Sequence, residues 1–388
     1  MTTFCQGDVA TIFVAKTVRT FCYGFLGIAL PLYLTELGLT AVGLGVAVTL
    51  TLAGSAALTW LVRRPAEQYG ARPVLIALGA LSALAALILL SSRDPWLVVL
   101  AAMLGNVAVG TGETGPFLAL EQVRIARAVA VGRRTAALSI YNFLGYAAGA
   151  LGAATVGALA AYRPLFVVFL AGAAVQVVAY ARLPPGAPVE RQPVGARLPS
   201  APLIRRLAAL GALDSFAGGF VLQSLVVYFL HERYGLGLEA LGYVFAGTQI
   251  LTAASLLLAA RAATRFGLLA TMVVSHLASN VVLILIAWAP TAGVAIALLG
   301  VRHLLSQMDV PTRQAYVMAI VEDHEREAAA TTTNIARTVA QAVTPALTGW
   351  VMQAVALGAP FVAGGALKIA YDLLLYWTFK DVKLKPDA

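Results

Sequence analysis

Long apolar segments, separated by short polar connections, occupy almost the whole 388-residue chain. A helix needs roughly 20 apolar residues to cross the hydrocarbon core of a bilayer, and segments such as 74–90 and 138–161 approach or exceed that length without a charged residue. This pattern predicts an all-α membrane protein with 12 transmembrane helices. The predicted spans are 9–34, 38–62, 73–91, 95–119, 135–161, 164–182, 205–231, 238–261, 267–289, 292–320, 328–355 and 358–379.

The composition and charge of the chain agree with a membrane protein. Hydrophobic residues make up 60% of it and charged residues 12%, whereas charged residues are about a quarter of an average soluble domain. The net charge of +9 does not indicate nucleic-acid binding, because the basic residues are scattered through short loops and form no single face. Arginines concentrate in the loops after even-numbered helices, so the positive-inside rule places both termini in the cytoplasm. We expect an integral protein of a prokaryotic plasma membrane.

The predicted spans form two sets of six around one hydrophilic segment, 184–204, which is rich in Pro, Gly and Arg. Such a segment cannot bury enough apolar surface to fold alone, so we predict a cytoplasmic linker between helical bundles at 1–183 and 205–388. The two bundles are predicted to be pseudo-symmetric, because an offset of 192 residues superposes identical residues of the two halves. These are Gln122 and Gln314, Val129 and Val321, Arg134 and Arg326, Asn142 and Asn334, and Gly157 and Gly349.

A short motif and the repeat together carry a family resemblance. Segment 63–72, after the second helix, is similar to the Gly-x-Leu-Ala-Asp-Arg-x-Gly-Arg loop of the major facilitator superfamily, with Gly70 and Arg72 in register and Glu67 in place of Asp. Segment 110–112 keeps a Gly-x-Gly that many exporters of that family have in helix four. Parallel repeats of six helices are the plan of the same family. The chain resembles it over its whole length, which implies that Glu67 and Arg72 act as a gate by latching onto helix eleven.

The resemblance implies a secondary active transporter that works by alternating access, and similarity to drug and metabolite exporters favours proton-coupled efflux of a small organic molecule. The expected partners are a small-molecule substrate, protons or another ion such as sodium, and the lipid bilayer; we expect a monomer. The sequence contains no phosphate-binding loop, metal-ligand constellation or nucleophile triad, so no enzyme, cofactor or metal is predicted. An importer or exchanger of an organic or inorganic anion, held by buried Arg and Lys, is the open alternative.

Titratable side chains inside predicted helices are the candidates for proton coupling, because a charge at bilayer depth costs about 3 kcal/mol and is usually functional. Glu113 lies in an apolar stretch, where desolvation favours the neutral carboxyl group, and it suits a carrier of one proton. The candidates are Glu113, Asp214, His303 and Asp309. His303 has the alternative role of a hydrogen-bonding core residue, and Asp214 has the alternative role of a helix start facing the cytoplasm.

Basic and amide side chains inside the predicted helices are the candidates for substrate binding. An unpaired Arg near mid-membrane is costly, so an anionic substrate group is a natural partner for Arg19 and Arg302. Asn142 and Asn334 either bind a substrate or bridge helices through hydrogen bonds. The candidates are Lys16, Arg19, Asn142, Arg302, Asn334 and Arg337.

Spacing predicts two further charge pairs. The offset of 192 places Glu121 on Arg313, and we predict that these opposite charges pair near the cytoplasmic side as an inner gate. Lys368 and Asp372 stand at i and i+4 of one helix. The simplest interpretation of that spacing is that the two side chains neutralise each other.

Overall fold

The computed structural model describes residues 3–107, 115–130, 133–185, 201–308, 313 and 326–380. The regular elements in these residues are α-helices, which we number in chain order. They are α1 (Thr3–Glu36), α2 (Ala41–Leu61), α3 (Arg63–Tyr69), α4 (Ala71–Ser91), α5 (Pro95–Leu104), α6 (Pro116–Ala128), α7 (Arg134–Leu159), α8 (Tyr162–Ala181), α9 (Ala201–Gly219), α10 (Gln223–Tyr234), α11 (Leu238–Phe266), α12 (Leu268–Ile286), α13 (Ala292–Ser306), α14 (Arg326–Ala354) and α15 (Ala359–Phe379).

Eight of the predicted crossings are confirmed as helical segments long and apolar enough to span a bilayer, and the protein is an all-α integral membrane protein. The remaining four predicted crossings coincide with α5 and α6, with α13, with α14 and with α15. The total of twelve therefore stays a prediction. The eight segments are Gly7–Glu36, Ala41–Tyr69, Ala71–Ser91, Ala137–Leu159, Tyr162–Ala181, Ala201–Tyr234, Leu238–Phe266 and Leu268–Ile286.

The prediction of one continuous helix over 95–119 is wrong, because the described part of this segment contains two helices. Helix α5 ends at Leu104, and Asn106 adopts a left-handed backbone conformation with φ 49°. Helix α6 begins at Pro116, whose ring fixes φ and whose missing N–H costs no hydrogen bond in the first turn of a helix. Gly115 precedes it with φ 109°, a conformation that favours glycine.

The seventh predicted crossing, 205–231, is interrupted after the glycine pair Gly218 and Gly219. Helix α9 ends at Gly219, the second of the paired glycines, and α10 begins at Gln223. Asp214 lies in the third quarter of α9 and is only 3% exposed. The alternative in which Asp214 marks a cytoplasm-facing helix start is therefore wrong.

The chain divides into two compact units. Unit 1 comprises Met1–Thr40, Ala47–Gln192 and Leu236–Gln249, whereas unit 2 comprises Ala41–Val46, Pro193–Gly235 and Ile250–Ala388. The core of unit 1 includes Phe117, Tyr141 and Tyr180. The core of unit 2 includes Tyr371 and Phe379. The predicted boundaries of the two bundles stay a prediction.

The internal repeat extends to α1 and α9 with an offset of 195 residues. Phe21 and Phe25 meet edge to face with ring centroids 5.8 Å apart, and Phe216 and Phe220 do the same at 5.7 Å. Because both pairs stand at corresponding positions with the same geometry, α1 in unit 1 and α9 in unit 2 are equivalent elements.

Glycine allows a close approach of helices α1 and α7 in unit 1. A Cβ atom added to Gly24 of α1 would meet the carbonyl oxygen of Gly149 in α7. Gly219 of α9 is the equivalent residue in unit 2. A Cβ atom added there would meet the side chain of Thr344 and the carbonyl oxygen of Gln341, both in α14. Small residues let the backbones of membrane helices approach each other, and van der Waals packing then holds the helices together.

We expect Gly24→Ala to lower the midpoint of thermal unfolding in detergent. The added methyl group meets backbone, which cannot rotate away, and overpacking of this kind costs about 1–3 kcal/mol. Gly247→Ala in α11 is the matched control, because nothing lies within 4 Å of the added Cβ atom there. Alanine favours a helix by roughly 1 kcal/mol relative to glycine, so the unfolding midpoint of the control should stay the same or rise slightly. Equal midpoints for the two variants would contradict the close approach at Gly24.

Candidate functional site

A closed ionic centre lies in unit 1, and we call Arg19, Glu121, Tyr141 and Tyr180 the Arg19 centre. The Nη1 and Nη2 atoms of Arg19 donate to the two carboxylate oxygens of Glu121 at 3.0 and 2.6 Å. The hydroxyl groups of Tyr141 and Tyr180 each donate to Glu121 at 2.6 Å, one to each oxygen. All four residues are 0% exposed. The carboxylate thus accepts four hydrogen bonds and is fully satisfied.

Aromatic rings lie against two buried cations of unit 1, Arg19 and Lys16. The guanidinium of Arg19 lies 4.5 Å above the ring of Phe117, which stacks on Tyr180. The Nζ atom of Lys16 lies 4.4 Å from the ring centroid of Tyr141. Aromatic faces attract cations electrostatically. These rings therefore support the charge balance of the Arg19 centre while keeping it dry.

A more open ionic centre lies in unit 2 around Asp214, which is 3% exposed. Lys368 donates to Oδ1 of Asp214 at 2.6 Å, whereas Arg337 and Arg313 approach Oδ2 at 3.0 and 3.4 Å. The side chains of Arg313 and Arg337 are 19% and 26% exposed. Three cations therefore share one carboxylate, and two of them are accessible.

A second buried carboxylate adjoins this group. The Nδ1 atom of His276 in α12 lies 2.7 Å from Oδ1 of Asp372 in α15, and Asn280 donates to Oδ2 of Asp372 at 2.9 Å. The Nε2 atom of His276 lies 3.8 Å from Oδ1 of Asp214. His276 thus stands between two carboxylates. We call Asp214, His276, Arg313, Arg337, Lys368 and Asp372 the Asp214 centre; no group of the described residues qualifies as a metal site.

The two centres occupy corresponding places in the repeat with their charges reversed. Arg19 in α1 corresponds to Asp214 in α9 by the offset of 195, and Glu121 corresponds to Arg313 by the offset of 192. Arg19 binds Glu121 in unit 1, and Asp214 contacts Arg313 in unit 2. Both halves thus have an acid–base pair at corresponding places, with the acid and the base exchanged.

The predicted inner gate pairs Glu121 with Arg313 when the cytoplasmic side closes. In this structure Glu121 accepts from Arg19 and from two tyrosines of its own unit, and Arg313 contacts Asp214 of its own unit. The inner gate itself remains a prediction.

The charges of Lys368 and Asp372 do interact, but each side chain forms its direct hydrogen bond with a residue of another helix. Lys368 binds Asp214, which lies 154 residues away in sequence, and Asp372 binds His276 and Asn280. Contacts within one helix are worth only about 0.2–0.5 kcal/mol. Direct hydrogen bonds to buried partners on neighbouring helices therefore prevail.

The other sequence-predicted residues are not gathered into one site. His303 is buried and its Nδ1 lies 3.1 Å from the hydroxyl of Thr252, as its alternative role as a core residue requires. Arg302 is half-buried, with an Nε atom that has no hydrogen-bond partner among the described residues. Asn142 is exposed. Glu113, Asp309 and the side chain of Asn334 lie outside what the structure describes.

The two predicted gate residues after the second helix have separate contacts. Glu67 pairs with Arg63 at 3.1 Å in the short helix α3. Arg72 donates to the carbonyl oxygen of Ala181 at 2.8 Å, at the last residue of α8. A cation is favourable at a helix C-terminus, where unpaired carbonyl groups carry partial negative charge. The latch with helix eleven stays a prediction.

Sequence reasoning missed His276, Asn280, Tyr141 and Tyr180. A sequence signal for His276 was present, because it is the only titratable side chain in an otherwise apolar predicted span, 267–289. The offset of 192 also places Tyr180 on Asp372. The tyrosines carry no charge to mark them, and only the structure shows that they bind a carboxylate.

The sequence matches the Major Facilitator Superfamily over residues 12–301 and again over 207–387. An uncharacterized membrane protein of Saccharomyces cerevisiae is 24% identical over 426 residues, which cover 97% of this chain and 95% of the relative. Two solved structures share the fold over 96% of this chain. A variant of the nucleoside transporter NupG has a TM-score of 0.77 at 13% identity and is covered over 100% of its length. The human organic anion transporter MFSD10 has a TM-score of 0.68 at 17% identity and is covered over 99%.

We expect Glu121→Gln to destabilise the protein strongly. The substitution keeps the shape of the side chain but leaves Arg19 without a carboxylate, and removing one partner of a buried pair costs about 3–5 kcal/mol. Thermal unfolding in detergent measures the effect, with the exposed Glu239→Gln as the matched control. The double variant Arg19→Leu, Glu121→Leu should lose less stability than Glu121→Gln; the opposite order would contradict charge compensation as the role of the pair.

Proposed function

Since the chain belongs to the Major Facilitator Superfamily, it is a secondary transporter and not an enzyme, and we propose that its solute is a small organic anion. The arginines of the Asp214 centre bind this anion. The energy of transport comes from a gradient, and the binding site is exposed to the two sides of the membrane in turn.

The excess of cations in the Asp214 centre is the observation that carries the proposal. Among the described residues, Lys368, Arg313 and Arg337 are accompanied by two carboxylates, Asp214 and Asp372. Asp372 is turned to His276, and Asp214 is the carboxylate that contacts all three cations among the described residues. Cations at membrane depth are favoured by nearby negative charge, and a bound anion would add such charge beside the two partly exposed arginines.

The two arginines are better placed than Lys368 to meet a solute. Their side chains are 19% and 26% exposed, whereas that of Lys368 is 9% exposed. The buried Nη1 atom of Arg337 has no hydrogen-bond partner in the described part of the chain. An orphaned donor of this kind is satisfied by an anion that binds a guanidinium through two oxygens.

Asp214 acts as an internal substitute for the solute. Its Oδ2 atom holds both guanidinium groups when no anion is present, so the empty site stays neutralised and ordered. An incoming carboxylate or phosphate competes with Asp214 for these groups. The fold shared with the human organic anion transporter is compatible with such a solute, although the fold alone does not define it.

Proton coupling is the second part of the proposal, and one observation favours it. His276 is 4% exposed and lies between Asp372 and Asp214. An imidazole is the side chain whose ordinary titration lies nearest to neutral pH. The predicted efflux direction rests on the sequence resemblance alone and stays a prediction.

We expect Arg337→Gln to raise the KM for anion uptake into proteoliposomes about 10-fold or more. A hydrogen bond to a charged group is worth about 1.5–3 kcal/mol, and about 1.4 kcal/mol corresponds to a tenfold change. The uptake panel contains radiolabelled mono- and dicarboxylates, sugar phosphates, a neutral nucleoside and an organic cation. Arg337→Lys should restore part of the affinity, because it keeps the charge and loses the fork of donors.

The control is Arg261→Gln, which removes an exposed arginine near the end of α11. It should leave anion uptake unchanged. Transport of the neutral or cationic solutes in preference to every anion, at the same rate in the native protein and in Arg337→Gln, would overturn the proposal.

A further inference from the structure

We infer that the Nε2 atom of His276 is the proton-binding atom that couples this transporter to a proton gradient. This inference rests on the proposed function, which it deepens by naming the atom that binds the coupling proton.

The hydrogen bonds of His276 determine which of its nitrogens is free to take a proton. Nδ1 lies 2.7 Å from Oδ1 of Asp372, so in the neutral imidazole Nδ1 carries the hydrogen and donates it to that carboxylate. Asn280 donates to the other oxygen of Asp372 at 2.9 Å and keeps the acceptor in place. The lone pair of the ring is therefore on Nε2. Asp372 sets the tautomer, as a carboxylate beside a histidine commonly does.

The exchangeable proton belongs on His276 and not on Asp214. Lys368, Arg337 and Arg313 surround Asp214 with three fixed positive charges, and opposite charges at such distances favour the ionised carboxylate. Nε2 of His276 faces Oδ1 of the same carboxylate at 3.8 Å. A proton that joins Nε2 converts the neutral ring to an imidazolium whose new N–H points toward Asp214.

The groups around His276 come from every neighbouring helix. Asp214 belongs to α9 and Arg337 to α14, and Arg313 adjoins both through Asp214. From α15 come Lys368, Asp372 and Tyr371, whose ring meets that of His276 edge to face with centroids 5.9 Å apart. Helix α13 contributes Arg302, whose carbonyl oxygen accepts from Ser279 at 3.4 Å, and His303, which bonds Thr252 of α11.

Asp214 links the proton to the solute. Its Oδ1 atom faces Lys368 and His276, and its Oδ2 atom faces the two arginines. An imidazolium at His276 attracts the carboxylate of Asp214 through Oδ1. The contacts of Oδ2 with the two guanidinium groups then weaken, and these groups bind the solute anion. Proton binding and anion binding therefore favour each other, and such a coupling is reciprocal. Cooperative binding of this kind moves proton and anion in the same direction, in contrast to the predicted proton antiport.

A titration of the substrate-free protein tests the proton site directly. The chain has four histidines, so full-length protein labelled with ¹⁵N-histidine gives few imidazole signals, and substituting His231, His303 and His324 in turn assigns the fourth to His276. The spectra are recorded over the pH range in which the protein stays folded. We expect the Nδ1–H tautomer in the neutral ring and an imidazolium once a proton joins Nε2. Asp372→Asn should abolish the preference for that tautomer. An Nε2–H tautomer, or no imidazolium at any pH of the series, would overturn the inference.

A transport experiment tests the coupling. In proteoliposomes, the carboxylate that the panel shows to be transported is followed in two modes, accumulation driven by an acidic exterior and exchange without a gradient. His276→Gln and Asp372→Asn should lose gradient-driven accumulation by about 10-fold or more and keep exchange, whereas His231→Gln, outside the Asp214 centre, should keep both. Accumulation that survives in both variants would overturn the inference.

The two proposals fail separately. If the native protein moves no anion, the proposed function is wrong, and the titration still decides whether His276 binds a proton. If His276→Gln and Asp372→Asn do not yield folded protein, Asn280→Ala keeps both titratable groups and should weaken gradient-driven accumulation more than exchange. Equal loss of both modes in Asn280→Ala would contradict a role in coupling.

Discussion

The neutralisation of buried charge is the constraint on which the two units depend. Helices of a membrane protein gain little from burying apolar side chains against each other, because lipid is equally apolar, so packing and polar contacts determine which helices associate. Glu121 joins α6 to α1, α7 and α8 through four hydrogen bonds. Asp214 joins α9 to α14 and α15 in the same manner. Each unit is therefore organised around one carboxylate.

The two carboxylates differ in how completely they are satisfied, and the proposed solute site lies at the less completely satisfied one. Glu121 has one guanidinium, two tyrosines and no exposed neighbour among its partners. Asp214 is shared by three cations, and two of these are partly exposed. The carboxylate of Glu121 already accepts four hydrogen bonds and has no free position for a ligand. A carboxylate with competing partners can release one of them at low cost, which is the property that solute binding requires.

A solute site and a proton site that share Asp214 need no long pathway between them. The proposed anion site uses Oδ2 of this residue through the arginines, and the proposed proton site uses Oδ1 through His276. A change on either side alters the charge that the same carboxylate has to balance. The coupling then has a physical basis in one residue, whose two oxygens face different partners, and it does not depend on a conformational signal carried through the fold.

Local pattern along the chain was enough to predict the apolar spans and the repeat between the halves, because hydrophobic length and residue identity at a fixed offset are properties of neighbouring or equivalent positions. It was not enough to predict the partners of the buried charges. Arg19 meets Glu121 across 102 residues and Lys368 meets Asp214 across 154, and the structure places His276 beside a carboxylate of another helix. Only the packing of helices brings such groups together, because the energy of a buried ionic contact depends on distance in space and not on spacing in sequence.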